Sequence, residues 1–383
     1  MKTLHVAVLT VLCAIVAALC AAAGAQPQTS DPPVRQQAQA RTNEAPASQP
    51  AARPESEPLR FDIASYPRVD GSTSANPLGV LAACVLTYRD YLWVLDNGGN
   101  KRLAPVRNSF PPAPGRGERW RAPLVAANNV PPLRSLKEDY FETLLLEKTD
   151  HTGTDKAFVN VIQGKSDLAL LCRKASDDEE ALMKKSRVEL VYQPVALDAF
   201  VFLLNEKNPL PGLTVDQIRK IYAGEIKLWE KIGWPMPNQG IHAYVRERNS
   251  GSQVTLERLV MRGKTIKAGT NMTAMSMMGP YNRLPEDQHG IGFTFYYYDK
   301  FMASLPGTKL AAIDGVAPST ETIASRKYPL VTEVYLVYRK GLDMDSAAGK
   351  LARWFLSDAG QRTVARSGYV PLRKIAPESP ARH

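Results

Sequence analysis

The chain has 383 residues, of which 44% are hydrophobic and 22% charged, and its formal net charge is +10. These fractions exclude a wholly disordered or fibrous chain, and the length is sufficient for two domains. The positive charge favours anionic partners. No nucleic-acid-binding motif and no interleaving of basic with aromatic residues accompanies it, so we expect no nucleic acid as a partner.

The N-terminal 25 residues have the pattern of an export signal. Lys2 precedes an apolar stretch at 4–19, and Ala23-Gly24-Ala25 forms a small-residue cleavage motif. We predict cleavage after Ala25 and a periplasmic or secreted protein. Lipid anchoring at Cys20 is the alternative, disfavoured because the bulky Leu19 precedes it. The apolar stretch is short for a membrane span.

Residues 26–59 are rich in Pro, Ala, Gln, Ser and Arg and poor in large apolar side chains. Such a segment cannot bury enough surface to offset the entropy of ordering, so we predict a disordered linker. Residues 376–383 are assigned as a tail.

Three hydroxyl-rich turns each precede a predicted helix, at 70–74, 151–155 and 246–252. Each turn alone is explained by helix capping, and for 152–155 and 250–253 the spacing is that of a cap. Together, converging helix N-termini with one arginine would suit a small tetrahedral oxyanion. The candidate ligand-binding residues are Ser72, Thr73, Thr152, Thr154, Arg246, Ser250, Gly251 and Ser252.

The remaining elements alternate between strands and helices, which indicates α/β architecture. Capping boxes are predicted at Ser176/Glu179 and Thr214/Gln217. The predicted strands are 167–171, 188–192, 199–205, 241–245 and 333–338, and the predicted helices are 74–88, 135–147, 155–163, 177–185, 215–223, 253–262 and 347–357.

Cys84 and Cys172 are the cysteines left after the signal, and they form either a disulfide or two small buried side chains, with the second favoured. The five histidines have no metal-ligand spacing. We expect no cofactor, no metal and no catalytic constellation, and therefore no enzyme.

Several motifs occur in the order found in one known family. The chain resembles the PstS-like family of periplasmic substrate-binding proteins, the phosphate receptors of ABC importers. The matching segments are Asp70–Ser74, Gly164–Leu168, Asp198–Phe202, Ile221–Ile226 with Trp229, Asn249–Gln253, Gly290–Phe293 and Gly368–Leu372.

The resemblance implies a type II periplasmic-binding-protein-like fold with a ligand cleft between two lobes. Lobe one would comprise 60–197 plus 327–375, and lobe two 198–326. The expected ligand is inorganic phosphate, the expected partner an ABC transporter permease, and the expected state a monomer. The alternatives are another oxyanion, an envelope or surface protein in which the Arg-rich insertion 96–134 is an interaction surface, and a phosphate-ester hydrolase.

One departure from the family pattern concerns selectivity. Phosphate receptors place two aspartates in the cleft to accept the proton of HPO₄²⁻, which rejects sulfate. Here Arg248 stands at the first position, and 171–173, with Arg173, lies near the second. Unless Asp70 or Glu247 supplies an acceptor, the resemblance predicts weak discrimination between phosphate and sulfate.

Overall fold

The computed structural model describes residues 59–375, apart from 98, 100, 108–129, 131, 133–134, 136–140, 150, 268–272 and 304. The predicted signal peptide and its cleavage after Ala25 lie outside the described residues. So do Cys20, the linker up to residue 58, the tail 376–383 and most of the insertion 96–134.

The strands, in chain order, are β1 Val69–Gly71, β2 Asp90–Leu95, β3 Lys101–Val106, β4 Leu168–Leu171, β5 Leu190–Asn205, β6 Gly212–Leu213, β7 His242–Ala243, β8 Gly290–Phe295, β9 Thr308–Leu310, β10 Ala312–Ile313 and β11 Val331–Arg339. The central mixed sheet has the order β1–β4–β11–β5–β8–β7, with β9 also paired to β5. The hairpin β2–β3 and the pair β6–β10 are separate from it.

Strand β5 joins two groups of strands. Its residues 190–199 pair with β11, which in turn pairs with β4, and β4 pairs with β1; these three are the first strand group. Its residues 200–205 pair with β8 and β9, and β7 pairs with β8; these three are the second strand group. At about 3.3 Å per residue, β5 is roughly 50 Å long and spans both groups.

The prediction of two separate strands at 188–192 and 199–205 was wrong, because the intervening residues also pair with β11. Pro194, which has no N–H to donate, lies opposite Tyr335, where the register shifts between Val334 and Tyr335. A bulge of this kind lets a proline occupy the interior of a sheet.

The helices are α1 Asn76–Thr87, α2 Thr143–Lys148, α3 Thr154–Ile162, α4 Asp177–Ser186, α5 Val215–Tyr222, α6 Gly251–Thr255, α7 Gly279–Arg283, α8 Thr320–Ala324, α9 Ala347–Leu356 and α10 Asp358–Ser367. A wider π-helical segment, Leu256–Met261, continues α6. Only the end of the predicted helix 135–147 falls within α2, and 136–140 lie outside the described residues.

Local capping signals place the helix starts well. Thr214 Oγ1 accepts from the Gln217 N–H at 3.1 Å, and Gln217 Oε1 accepts from the Thr214 N–H at 2.8 Å, which confirms that capping box. At α4, Glu179 Oε2 accepts from the Ser176 N–H at 2.6 Å. Because these bonds connect residues three apart, the sequence alone contains the information.

The apolar core lies on both sides of β5, and the second half of that strand is buried throughout. Phe200 packs edge-on to Phe202, with ring centroids 5.4 Å apart, and Phe293 lies 5.4 Å from Phe200. Cys84 and Cys172 are both free and buried, which confirms the favoured interpretation over the disulfide. Within the described part of the chain, no helix is long and apolar enough to cross a membrane.

Candidate anion-binding site

The backbone N–H donors at the start of α6 form one part of the candidate site. This helix follows β7, a member of the second strand group. Ser250 occupies the N-cap position, and its Oγ accepts from the Gln253 N–H at 3.3 Å. The side chain of Gln253 does not return this bond; its Oε1 accepts from the Arg246 N–H at 2.9 Å. Gln253 thereby fixes the end of the preceding extended segment against the helix. The first N–H groups of any helix lack intrahelical partners and attract anions.

Arg246 is 8% exposed and lies beside this helix start. Its Nη1 donates to Ser252 Oγ at 3.3 Å and lies 3.4 Å from Met277 Sδ, and its Nε donates to Glu247 Oε2 at 2.9 Å. Burial lowers the pKa of Arg246 below its ordinary value, although Glu247 opposes the shift. An arginine remains charged under these conditions. A buried guanidinium of this kind is stabilised by a further anionic partner.

The turn at 72–74 leads into α1 from the first strand group. Ser72 is buried and precedes a 3₁₀ turn, Thr73–Ala75, that runs directly into the helix. Ser72 Oγ lies 3.5 Å and Ser74 Oγ 3.1 Å from Cys172 Sγ, at the end of β4. Burial raises the pKa of the Cys172 thiol to about 11, so the thiol is neutral near pH 7. Thr73, the more exposed hydroxyl of this turn, is half-buried.

The turn at 152–154 is held by Asp70. The backbone N–H of Thr152 donates to Asp70 Oδ1 at 2.9 Å, and its Oγ1 lies 2.9 Å from Oδ2. Asn160 Nδ2 adds a bond to Oδ2 at 2.7 Å. The prediction that Thr152 caps α3 was wrong, since Gly153 is the N-cap residue and its φ of +93° is one that favours glycine. A buried carboxylate needs hydrogen-bond donors, and Asp70 receives them from Thr152. The Thr152 side chain therefore bonds Asp70 and does not cap α3.

Gly251 lies where the start of α6 approaches the turn that begins α3. A Cβ atom added at Gly251 would lie 2.8 Å from Thr154 Oγ1, closer than a carbon normally approaches an oxygen. Glycine at this position therefore lets the start of α6 approach the turn that begins α3. Contacts thus run from Asp70 through the 152–154 turn to Gly251, and from Ser252 to Arg246.

Arg173 and Arg248 each pair with an acidic residue of α4. The side chain of Arg173 is 4% exposed and is paired with Glu179, with Nη1 to Oε2 at 2.6 Å and Nη2 to Oε1 at 2.9 Å. The side chain of Arg248 is 81% exposed and its Nη2 lies 2.9 Å from Asp178 Oδ1. The residue that reaches the 72–74 turn from the end of β4 is Cys172.

Both carboxylates considered as substitute proton acceptors are engaged within the protein. Asp70 accepts from Gly71, Thr152 and Asn160. Glu247 Oε1 accepts from the Ser276 N–H at 3.0 Å, in addition to the bond of Oε2 with Arg246. Burial acts to raise the pKa of Glu247, but the Ser276 N–H and Arg246 outweigh it, and the pKa lies below its ordinary value.

Sequence reasoning missed the side chains that support the candidate site. Asp70 was recognised as part of a motif but not as the anchor of the second turn, which lies 82 residues away. Met277, whose Sδ lies 3.4 Å from Arg246 Nη1, was not among the predicted ligand-binding residues. The signal for Cys172 was its position within the stretch that replaces one family aspartate. Among the residues that the structure describes, no group of three or more His, Cys, Asp or Glu side chains is arranged to hold a metal ion.

Comparison with known proteins places the chain in a family. A model described as a PBP superfamily domain matches residues 140–359, more than half of the chain. The phosphate-binding protein PstS of Staphylococcus haemolyticus is 25% identical over 263 residues, which are 67% of this chain and 80% of that protein. Protein SphX of Synechocystis sp. is 27% identical over 240 residues, or 59% of this chain and 70% of that protein.

The likeness extends to solved structures. A putative phosphate ABC transporter substrate-binding protein of Clostridium perfringens, solved with bound phosphate, is 21% identical, with a TM-score of 0.47 over 58% of this chain and 86% of that one. On the extent of the family-model match, the chain belongs to the PBP superfamily, as a PstS-like member.

Proposed function

We propose that this protein captures a small tetrahedral oxyanion, with inorganic phosphate the first candidate, and delivers it to the permease of an ABC importer. The observation that carries the proposal is the approach of Gly251 to Thr154, which sets a hydroxyl-bearing turn against a helix start with a buried arginine. The names of the relatives, phosphate-binding proteins among them, support the choice of phosphate.

We also propose the two-lobe division at 60–197 plus 327–375 and 198–326. In support, β5 passes from the first to the second strand group between Ala199 and Phe200. The chain returns close by, where the Phe200 N–H donates to the Leu330 C=O at 2.9 Å. Two adjacent crossings of this kind allow rotation of one lobe against the other.

Binding would rely on hydrogen bonds that strengthen as the cleft closes. Ser72 and Thr73, with Thr152 and Thr154, would approach the anion from lobe one. Arg246, Ser250, Gly251 and Ser252 would approach it from lobe two. Closure excludes water, and each bond to a charged group is stronger in the resulting low dielectric. The protein would act as an exported monomer without catalysis.

Calorimetric titration of the mature, ligand-free protein with phosphate, sulfate, molybdate and a phosphate ester tests this proposal. We expect one oxyanion per chain and no turnover of the ester. Binding of none of the four by folded protein would support the alternative of a surface protein that keeps the fold without the ligand. Metal-dependent turnover of the ester would support the hydrolase.

A further inference from the structure

Asn249, the residue immediately before the α6 N-cap, is held by side chains of the other proposed lobe. Its C=O accepts from Arg173 Nη2 at 2.8 Å, and its Nδ2 donates to Asp178 Oδ2 at 2.8 Å. Its φ of +65° lies in the left-handed region, which asparagine tolerates better than most residues. The turn that aims the Ser250–Ser252 segment therefore depends on two contacts from across the cleft.

Arg173 is a rigid partner in this contact. Both of its terminal nitrogens bond Glu179, at 2.6 and 2.9 Å, and Nη1 also donates to the Lys174 C=O at 2.9 Å. Its guanidinium carbon lies 5.1 Å from the centre of the Phe158 ring. A planar guanidinium fixed on several sides loses little further freedom when it binds one more carbonyl. Arg173 therefore fixes the Asn249 carbonyl group relative to lobe one.

Further pairs surround this contact at the surface. Asp178 also binds Arg248, and Arg258 lies 3.3 Å from both Asp177 and Glu180. Exposed pairs of this kind contribute little individually because water and salt screen them. They nevertheless set an acidic helix start on lobe one against cationic side chains on lobe two. The charge pattern favours the same closed arrangement as the Asn249 contacts.

We propose that Arg173 and Asp178 are positioning residues that form an interlobe latch on Asn249, so that closure of the cleft orients the start of α6 toward the bound anion. The inference rests on the proposed two-lobe function. Arg173 and Asp178 act through Asn249 and do not touch the ligand. Since the latch bonds exist only when the lobes meet, they retain the anion after capture and leave its first encounter unaffected.

The test compares Asp178→Ala with Asp345→Ala, which also removes one exposed aspartate; among the described residues Asp345 forms an ion pair with Arg353 alone, within lobe one. Stopped-flow kinetics with phosphate should show dissociation faster by about fivefold in Asp178→Ala, with association unchanged, as expected for loss of a half-exposed charged hydrogen bond. Asp345→Ala should match the parent. Equal dissociation rates in all three proteins would overturn the latch.

Arg173→Lys keeps the buried charge but replaces the two-nitrogen fork, which binds both Glu179 oxygens and Asn249, with a shorter side chain that ends in one nitrogen. It should also speed dissociation, while the melting temperature shows that the fold persists. Small-angle scattering of the parent and Asp178→Ala at saturating phosphate tests the latch at equilibrium. Asp178→Ala should have a larger radius of gyration than the parent, because its lobes reopen more often. A parent that binds no oxyanion would contradict the proposed function, whereas unchanged scattering would contradict the latch.

Discussion

At the scale of single residues, the candidate site is rich in donors and poor in available acceptors. Asp70 and Glu247 are each committed to protein partners, and the Cys172 thiol takes the place beside Ser72 and Ser74. A protonated oxygen of phosphate would find no dedicated carboxylate there. Leaving such a group unmatched costs about 1–3 kcal/mol.

We therefore expect sulfate to compete with phosphate at no more than about a tenfold disadvantage, since 1.4 kcal/mol corresponds to a factor of ten. Displacement of labelled phosphate by sulfate, at fixed pH and salt, measures this ratio. Retention of phosphate against a thousandfold excess of sulfate, on the order that a dedicated acceptor would give, would show that one of these carboxylates changes partners when the ligand binds.

The buried carboxyl group of Asp198 leads to a second prediction at the scale of single residues. It is 2% exposed, and its Oδ1 accepts from the Ala199 and Tyr297 N–H groups at 2.8 and 3.0 Å. Burial, only partly opposed by these bonds, raises its pKa from 3.8 to about 7. Between these pH values the native state keeps a proton that the unfolded chain has lost. Its contribution to stability is thus complete below about pH 4 and disappears as the pH rises through 7.

The corresponding slope is about 1.4 kcal/mol of unfolding free energy per pH unit. Asp198→Asn removes the titrating group and should flatten the pH dependence of stability over this range. Urea unfolding of both proteins at pH 5, 6 and 8 measures the difference. Parallel pH profiles for the parent and the variant would mean that Asp198 is ionised in the folded protein.

At the scale of elements, the distance between the start of α3 and the start of α6 is the sensitive quantity. Gly251→Ala would put a methyl group 2.8 Å from Thr154 Oγ1. The side chain of Thr154 is short, so relief requires movement of the turn or of the helix. We expect weaker phosphate binding in Gly251→Ala, by about tenfold, as for roughly 1–2 kcal/mol of overpacking.

Thr154→Ala removes the hydroxyl that would meet this methyl group, so the double variant should recover part of the loss. The phosphate affinities of the parent, the two single variants and the double variant form a double-mutant cycle. Neighbouring residues typically couple by 0.5–3 kcal/mol. Simple additivity of the two losses would indicate that the turn and the helix do not meet in the protein in solution.

The sequence predicts elements best where the deciding contacts are local. The bonds of Thr214 with Gln217 connect residues three apart, and the predicted start of α5 is confirmed. Thr152 has equally good cap spacing, but its hydroxyl donates to Asp70, and no local pattern reports a partner 82 positions away. The single strand β5 was missed for a related reason, since its pairing partner β11 lies more than 120 residues later.

The candidate site follows the same rule. Arg246 and Ser250 are recognisable from one short motif, whereas Arg173 and Arg248 were placed by alignment position alone. The bonds of Arg173 with Asn249 and of Arg248 with Asp178 depend on how α4 and the residues before it meet the segment before α6. Such contacts arise only once distant segments are brought together, and a single sequence does not encode them in any local spacing.

At the scale of the whole molecule, the anion is proposed to lie where two lobes meet, with one buried cation as its main partner. In this proposal lobe one would contribute hydroxyl-bearing turns, and lobe two would contribute Arg246 and the start of α6. A formal net charge of +10 favours the approach of anions from a distance. Retention, in contrast, depends on the short-range bonds that closure assembles. In this proposal the loss of Arg246 should greatly weaken anion binding, whereas the loss of the exposed Arg248 should weaken it only slightly.

Calorimetry of phosphate binding to the parent, Arg246→Ala and Arg248→Ala tests this account most directly. A charged hydrogen bond in a closed cleft contributes roughly 1.5–3 kcal/mol, so Arg246→Ala should lose about ten- to a hundredfold in affinity. Arg248→Ala removes an 81% exposed side chain paired with Asp178 and should lose only a few-fold, by the small worth of an exposed pair. Full phosphate affinity in a folded Arg246→Ala protein would contradict the proposed site.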